Sequence, residues 1–220
     1  MVCDIRLAIF DCDGVLVDSE PIANRVFATM LCELGLQMSE AEMYQELTGR
    51  TLSDCARIVE ARLGRSLPEG FLAELQERTL AAFEREGLKP IDGIHEALAA
   101  IDMPVCVASS GELEKMRFTL GLTGLLPRFD GRLFSATQVP RGKPAPDIYL
   151  FAAASMGVAP ERCVVIEDSP AGAQAGLSAG MTVLGYCAHT PAAALRAVGV
   201  QRTFADMREL PDLLRVAVGR

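Results

Sequence analysis

Short runs of apolar, β-prone residues alternate with helical patterns along most of this chain. Runs at residues 7–10, 105–108, 132–134, 163–166 and 182–186 are rich in Val, Ile, Leu, Phe and Cys. Between the last four lie stripes of helical period. Leu113, Met116 and Leu120 are closed by Gly121, and Ile148, Phe151, Ala152 and Ser155 recur at spacings of three, four and seven. The Ala/Gly-rich stretch from Ala171 to Gly180 reads as a tightly packed helix, with Ser169 as N-cap, Pro170 at its first position and Gly180 as its stop. Strands that are apolar throughout and alternate with helices predict a parallel sheet covered on both faces, a doubly wound, Rossmann-like α/β core.

The pattern breaks after the first strand. From about Ser19 to Leu88 no strand-like run occurs; Ile22, Val26, Met30 and Leu34 repeat every four residues, and Leu52, Cys55, Ala56, Val59 and Leu63 form a second stripe. Pro68 is expected to open a further helix through about Glu86. This predicts an all-helical domain, residues 18–88, inserted into a core made of residues 1–17 and 89–220. Ligands of such sheets gather at the carboxyl ends of the strands, where this insert leaves the core.

Composition narrows the setting. At 220 residues, half of them apolar and with a net charge of −8, the chain is expected to be globular and to have no general affinity for nucleic acid or anionic membrane. The seven cysteines include no C-x-x-C pair, and Cys3, Cys12, Cys106 and Cys163 lie in or beside strand-like runs, which suits free thiols packed as small hydrophobes in a reducing cytoplasm. The N-terminus lacks a signal-peptide pattern, and the longest apolar run, residues 148–154, is far short of a membrane span. Of 21 basic residues only Lys89, Lys115 and Lys143 are lysines, so each can be weighed singly.

The first strand runs into Asp11-Cys12-Asp13-Gly14. In extended chain Asp11 and Asp13 project to one side while Cys12 turns back toward the packing, and Gly14 lets the backbone turn. Two carboxylates so close repel each other, and a hard divalent cation such as Mg²⁺ relieves the repulsion. An EF-hand is excluded by spacing, since Gly14 falls at position four of the loop and Ile22 at position twelve. With only His95 and His189 and no G-x-S-x-G or G-x-x-x-x-G-K-[ST], neither a serine hydrolase nor a P-loop enzyme is supported.

The segment Asp11-Cys12-Asp13-Gly14-Val15-Leu16-Val17-Asp18-Ser19 resembles the first motif of the haloacid dehalogenase superfamily, in the branch of sugar-phosphate phosphatases and β-phosphoglucomutase. Three further motifs follow in order: Ser109 after an apolar strand, Lys143 in Gly142-Lys143-Pro144, and Glu167-Asp168 after another strand. The resemblance implies that Asp11 is a nucleophile forming an aspartyl-phosphate and that Asp13 is the general acid and base. It implies Mg²⁺ held by the Asp11 carboxylate, the Asp13 carbonyl and Asp168, with Glu167 in support. Lys143 would supply fixed positive charge, Ser109 a hydroxyl, and the amides near Ser110 and Gly111 further donors. In the helical cap, residues 46–52 resemble a substrate-specificity loop, with Gly49 and Arg50 as candidate contacts.

Within that family Asp13 argues against a dehalogenase, and the absence of lysine between Ser19 and Leu88 argues against a phosphonoacetaldehyde hydrolase. Ala23 stands where the mutases place a histidine. The expectation is therefore a cytoplasmic, monomeric, Mg²⁺-dependent phosphatase of small phosphorylated sugars or sugar acids. The alternatives are a sugar-phosphate mutase and, from another class, a phosphosugar sensor without turnover.

Overall fold

In a computed structural model of the protein, which describes residues 4–47 and 52–218, the chain forms two compact units. One contains the residues up to Asp18 and those from Leu88 onward; the other is Ser19–Gly87. In chain order the elements are β1 (Leu7–Phe10), α1 (Glu20–Glu33), α2 (Glu40–Leu47), α3 (Leu52–Leu63), α4 (Phe71–Glu86), α5 (Ile94–Ala99), β2 (Val105–Ser109), α6 (Leu113–Leu122), α7 (Leu126–Phe129), β3 (Leu133–Ser135), α8 (Asp147–Ser155), β4 (Cys163–Glu167), α9 (Pro170–Ser178), β5 (Thr182–Tyr186), α10 (Ala192–Ala197), β6 (Arg202–Phe204) and α11 (Leu210–Val218). Among the described residues no helix is long and apolar enough to cross a membrane.

The first unit is built on a six-stranded sheet in the order β3-β2-β1-β4-β5-β6, every pairing parallel. The chain winds outward from β1 to β3, then returns to add β4 on the other side of β1, so the winding reverses between these two strands. At such a reversal the loops that leave the two strands diverge and open a crevice at the carboxyl edge. Strands β1, β2 and β4 are buried along their whole length, which accounts for their apolar character up to the last residue of β2 and of β4. On one face Leu7, Ile9, Cys106 and Val165 pack against Ile148, Tyr149 and Ala152 of α8 and Ala173 of α9. On the other, Phe10 meets Phe129 edge-on, their ring centroids 6.0 Å apart.

The sheet exceeds the sequence reading by one strand. β6 has three residues and pairs with β5 alone, so it carries too little buried surface to leave a recognisable run. The helical unit also differs in detail. Its last helix begins at Phe71 rather than Pro68, because Gly70 takes a left-handed conformation with φ of +80° that interrupts the helical path. Leu52, expected in the buried stripe of α3, is exposed, while Cys55 and Val59 of the same stripe are buried with Phe27, Met30, Leu31, Phe71 and Leu75.

The insertion has a defined base within the first unit. Val17 bridges Pro90 in antiparallel fashion, the Ile91 amide donates to the Leu16 carbonyl at 3.0 Å, and the Asp18 amide donates to Lys89 at 3.0 Å. The outgoing and returning chain thus run as a short two-stranded tie.

Close packing explains the Ala/Gly-rich run. A Cβ on Gly176 in α9 would stand 2.9 Å from Val183 Cγ2 and 3.3 Å from Val165 Cβ, both fixed in the sheet. Gly176→Ala is therefore expected to destabilise the protein by about 1–3 kcal/mol, the usual penalty for overpacking, read as a lower urea midpoint at unchanged slope. Thiol chemistry gives an independent check. Cys12, Cys55, Cys106 and Cys163 are buried, and burial pushes Cys106 up to about 12 and Cys163 up to about 11, whereas Cys32 is exposed. Among these five, an alkylating reagent at neutral pH is expected to modify Cys32 in the native protein and the other four only after unfolding, as mapped by peptide mass spectrometry.

Candidate active site

Four chain segments bring their polar ends to the carboxyl edge of the sheet around the reversal point. β1 delivers Asp11 and Asp13, β2 ends in Ser109, β4 ends in Glu167 followed by Asp168, and the loop between β3 and α8 carries Lys143. Three of these side chains form a buried chain of charge. Lys143 Nζ donates to Asp11 Oδ1 at 2.5 Å and to Glu167 Oε1 at 2.7 Å, and also to the Ala108 carbonyl at 3.2 Å. The Lys143 side chain is only 6% exposed and that of Glu167 1%, so solvent contributes little to their compensation.

Glu167 is fully engaged by protein. Its Oε1 accepts from Lys143 and from the Tyr149 hydroxyl at 2.9 Å, and its Oε2 from the Ser169 amide and hydroxyl, both at 2.9 Å. Both oxygens of Glu167, expected to support a metal, accept from protein donors here, one of them Lys143. Room for this arrangement depends on Gly172 in the first turn of α9, where a Cβ would fall 1.6 Å from Glu167 Oε1. Burial opposes the charge on Glu167, but Lys143 and the surrounding donors outweigh it and hold its pKa below the ordinary glutamate value. Burial likewise opposes the charge on Lys143, and the two carboxylates reverse that effect and raise its pKa.

Asp11 is less well compensated. Burial pushes its pKa up to about 7 against the pull of Lys143, and the nearby charges of Glu167 and Asp13 push the same way. One ammonium shared between two buried carboxylates leaves this pocket short of positive charge.

The segment after Asp11 is wound into a tight loop, with the Leu16 and Val17 amides both donating to the Cys12 carbonyl and the Gly14 amide to Val17. Gly14 is needed twice here. Its φ is +79°, and a Cβ on it would lie 2.1 Å from Asp168 Oδ2. The Asp168 carboxylate therefore rests directly on the backbone of the Asp11–Gly14 turn, and Asp168 is itself buried. Hard oxygens from Asp11, Asp168 and the Asp13 carbonyl suit Mg²⁺, which commonly uses one or two carboxylates and completes its shell with water and phosphate. In keeping with so sparse a set, no group of three or more His, Cys, Asp or Glu side chains among the described residues is arranged to hold an ion by itself.

Ser109 is buried, and its Oγ accepts the Gly111 amide at 3.1 Å. The Gly111 amide, expected to face a phosphoryl oxygen, is thus occupied within the loop, while Ser110 is exposed. Gly49 and Arg50 lie outside the described residues. Of the histidines, His95 Nε2 is 3.1 Å from the Thr123 carbonyl, and His189 Nε2 is 3.4 Å from Asp18 Oδ1 at the foot of the insertion.

The sequence reading assigned no role to Lys115. In the first turn of α6, its Nζ donates to Asp13 Oδ2 at 2.7 Å. Burial disfavours its charge, but Asp13 at this distance raises its pKa above the ordinary lysine value. The available signal was the scarcity of lysine: two of the three in the chain meet Asp11 and Asp13 of one motif.

Residues 5–180 match the sequence profile of haloacid dehalogenase-like hydrolases. The chain is 35% identical over 209 residues to the 6-phosphogluconate phosphatase of Escherichia coli, covering 95% of this chain and 94% of that one. It is 32% identical over 180 residues to hexitol phosphatase A of the same organism, covering 80% of each. A crystal structure of a conserved haloacid dehalogenase-like protein from Agrobacterium tumefaciens superposes with a TM-score of 0.85 at 35% identity, covering 96% of this chain and 98% of the other. With a profile match over most of its length and relatives matched along nearly their whole extent, the chain belongs to the haloacid dehalogenase-like hydrolase family.

Proposed function

We propose that this protein is a Mg²⁺-dependent phosphatase of small phosphorylated sugars or sugar acids, working through an aspartyl-phosphate on Asp11. The observation that carries the reading is the buried Lys143 bridge between Asp11 and Glu167, with Asp13 two residues beyond on the same strand end. The relatives' activities on 6-phosphogluconate and hexitol phosphates support a phosphorylated polyol or sugar acid as the substrate class.

In the first step an Asp11 carboxylate oxygen attacks phosphorus, the bond from phosphorus to the sugar oxygen breaks, and Asp13 gives that oxygen a proton. In the second, Asp13 takes a proton from water, the water oxygen attacks the same phosphorus, and the acyl phosphate bond breaks to release inorganic phosphate and regenerate Asp11. Lys143 keeps Asp11 oriented and offers positive charge to the phosphoryl oxygens, and Ser109 offers its hydroxyl. Asp11, Asp168 and the Asp13 carbonyl are the groups that would hold Mg²⁺. The ion supplies the cationic charge that lets an anionic nucleophile approach an anionic ester.

Ala23, in α1, has no side-chain group able to restrain Asp13, so the reading favours transfer to water over a mutase. We assign recognition of the organic part of the ester to Gly49 and Arg50.

Phosphate release from a broad panel of phosphometabolites is the direct test. Activity is expected on sugar or polyol phosphates, lost with EDTA and restored by Mg²⁺, without interconversion of hexose 1- and 6-phosphates. Asp11→Asn is expected to lose turnover by several orders of magnitude while remaining folded by circular dichroism; retained turnover in that variant refutes the covalent route.

A further inference from the structure

Lys115 belongs to none of the four motifs, yet the fold holds it rigidly against one of their residues. Three contacts fix the helix that carries it. The Ser135 hydroxyl at the end of β3 donates to the Gly111 carbonyl at 2.7 Å, and the Gly111 amide donates to Ser109 Oγ at 3.1 Å, which pins the loop leading into α6. One turn along the same face of the helix, the buried Thr119 hydroxyl, which donates to the Lys115 carbonyl at 3.1 Å, lies within hydrogen-bonding reach of the Cys12 thiol. Residues 115 and 119, four apart, therefore meet Asp13 and Cys12, which are adjacent in the chain.

The surroundings of Gly111 point the same way. A Cβ built there would lie 3.5 Å from Lys115 Cδ, 3.5 Å from Ser109 Oγ and 3.9 Å from Asp13 Oδ2. The lysine stem, the serine hydroxyl and the aspartate converge on one point, and glycine leaves that point open.

We infer that Lys115 is a positioning residue for Asp13: by donating to Oδ2 from a helix whose leading loop is pinned to Ser109 and Ser135, it fixes the plane of the carboxyl that transfers a proton to the leaving oxygen. This rests on the acid-base role proposed above for Asp13. Exposed ion pairs between long side chains are generally weak and mobile. This one is different in kind: both side chains are less than a third exposed, and its lysine rides on an element fixed by separate hydrogen bonds. A misplaced proton donor matters only where a proton is needed. An alkoxide leaving a sugar phosphate must be protonated as the bond to phosphorus breaks, whereas 4-nitrophenolate departs as a stable anion.

The test compares kcat/KM for two esters on the same enzyme preparation, 4-nitrophenyl phosphate and the fastest sugar phosphate of the panel, with 6-phosphogluconate tried first. In Lys115→Met the sugar-to-aryl ratio is expected to fall about 100-fold, the scale on which misplacing a reacting group by about an ångström acts. Lys115→Arg, which keeps a cation in reach of Oδ2, is expected to give a ratio between those of the parent and Lys115→Met. A loss of folded protein lowers both rates together and leaves the ratio unmoved, so the ratio separates positioning from stability. An unchanged ratio in whichever of the two variants folds overturns the inference. Asp13→Asn is the reference: if it too leaves the ratio unchanged, the acid-base role of Asp13 fails, and if it lowers the ratio while the Lys115 variants do not, the inference on Lys115 fails alone.

Discussion

The buried bridge from Asp11 through Lys143 to Glu167 is the constraint on which the rest of the site depends. Placing two carboxylates at the buried end of a largely apolar sheet is costly unless cationic groups reach them, and Lys143 reaches both from a loop 132 residues beyond Asp11. Around that contact the surrounding choices become intelligible. Tyr149 on α8 and Ser169 at the cap of α9 complete the glutamate, and Gly172 leaves room for it. The pocket still lacks positive charge, which makes its chemistry dependent on what binds there.

Asp11 and Asp13 of the first motif are handled differently by the fold, and the difference matches their proposed duties. Asp11 is buried and locked to a buried lysine. Asp13 is more open, with its carboxyl 29% exposed and held by a lysine that is itself 27% exposed. A nucleophile gains from confinement. A group that trades protons first with a leaving oxygen and then with water gains from a defined orientation that solvent can reach.

Much of this was legible in the sequence because strand ends are local. Apolar runs fix where β1, β2 and β4 stop, and the polar residue that follows each run must then lie at one edge of a parallel sheet. This placed Asp11, Ser109 and Asp168 at that edge. Partnership was less legible. Nothing in Val164-Val165-Ile166-Glu167-Asp168 distinguishes the acid whose oxygens are all taken by protein donors from the one that rests on Gly14, because the donors come from Tyr149, Ser169 and a distant loop. Lys115 escaped for a related reason: its position in the first turn of α6 acquires meaning only when the packing of that helix sets its face toward Asp13, 102 residues away. The expected start of α4 falls three residues too early because Gly70, in a left-handed conformation, interrupts the helical path that Pro68 favours.

The short tie formed by residues 16–18 and 89–91 has an evolutionary consequence. An excursion whose two ends are already hydrogen-bonded to each other adds almost nothing to the loop that must close before β1 and β2 can pair, since the closure is settled at the tie. Lengthening, trimming or replacing the helices between Ser19 and Gly87 leaves the register of the parallel sheet untouched. Such a chain can therefore change the length and make-up of its inserted unit over evolutionary time while the strand ends that carry Asp11, Ser109 and Glu167 stay where they are.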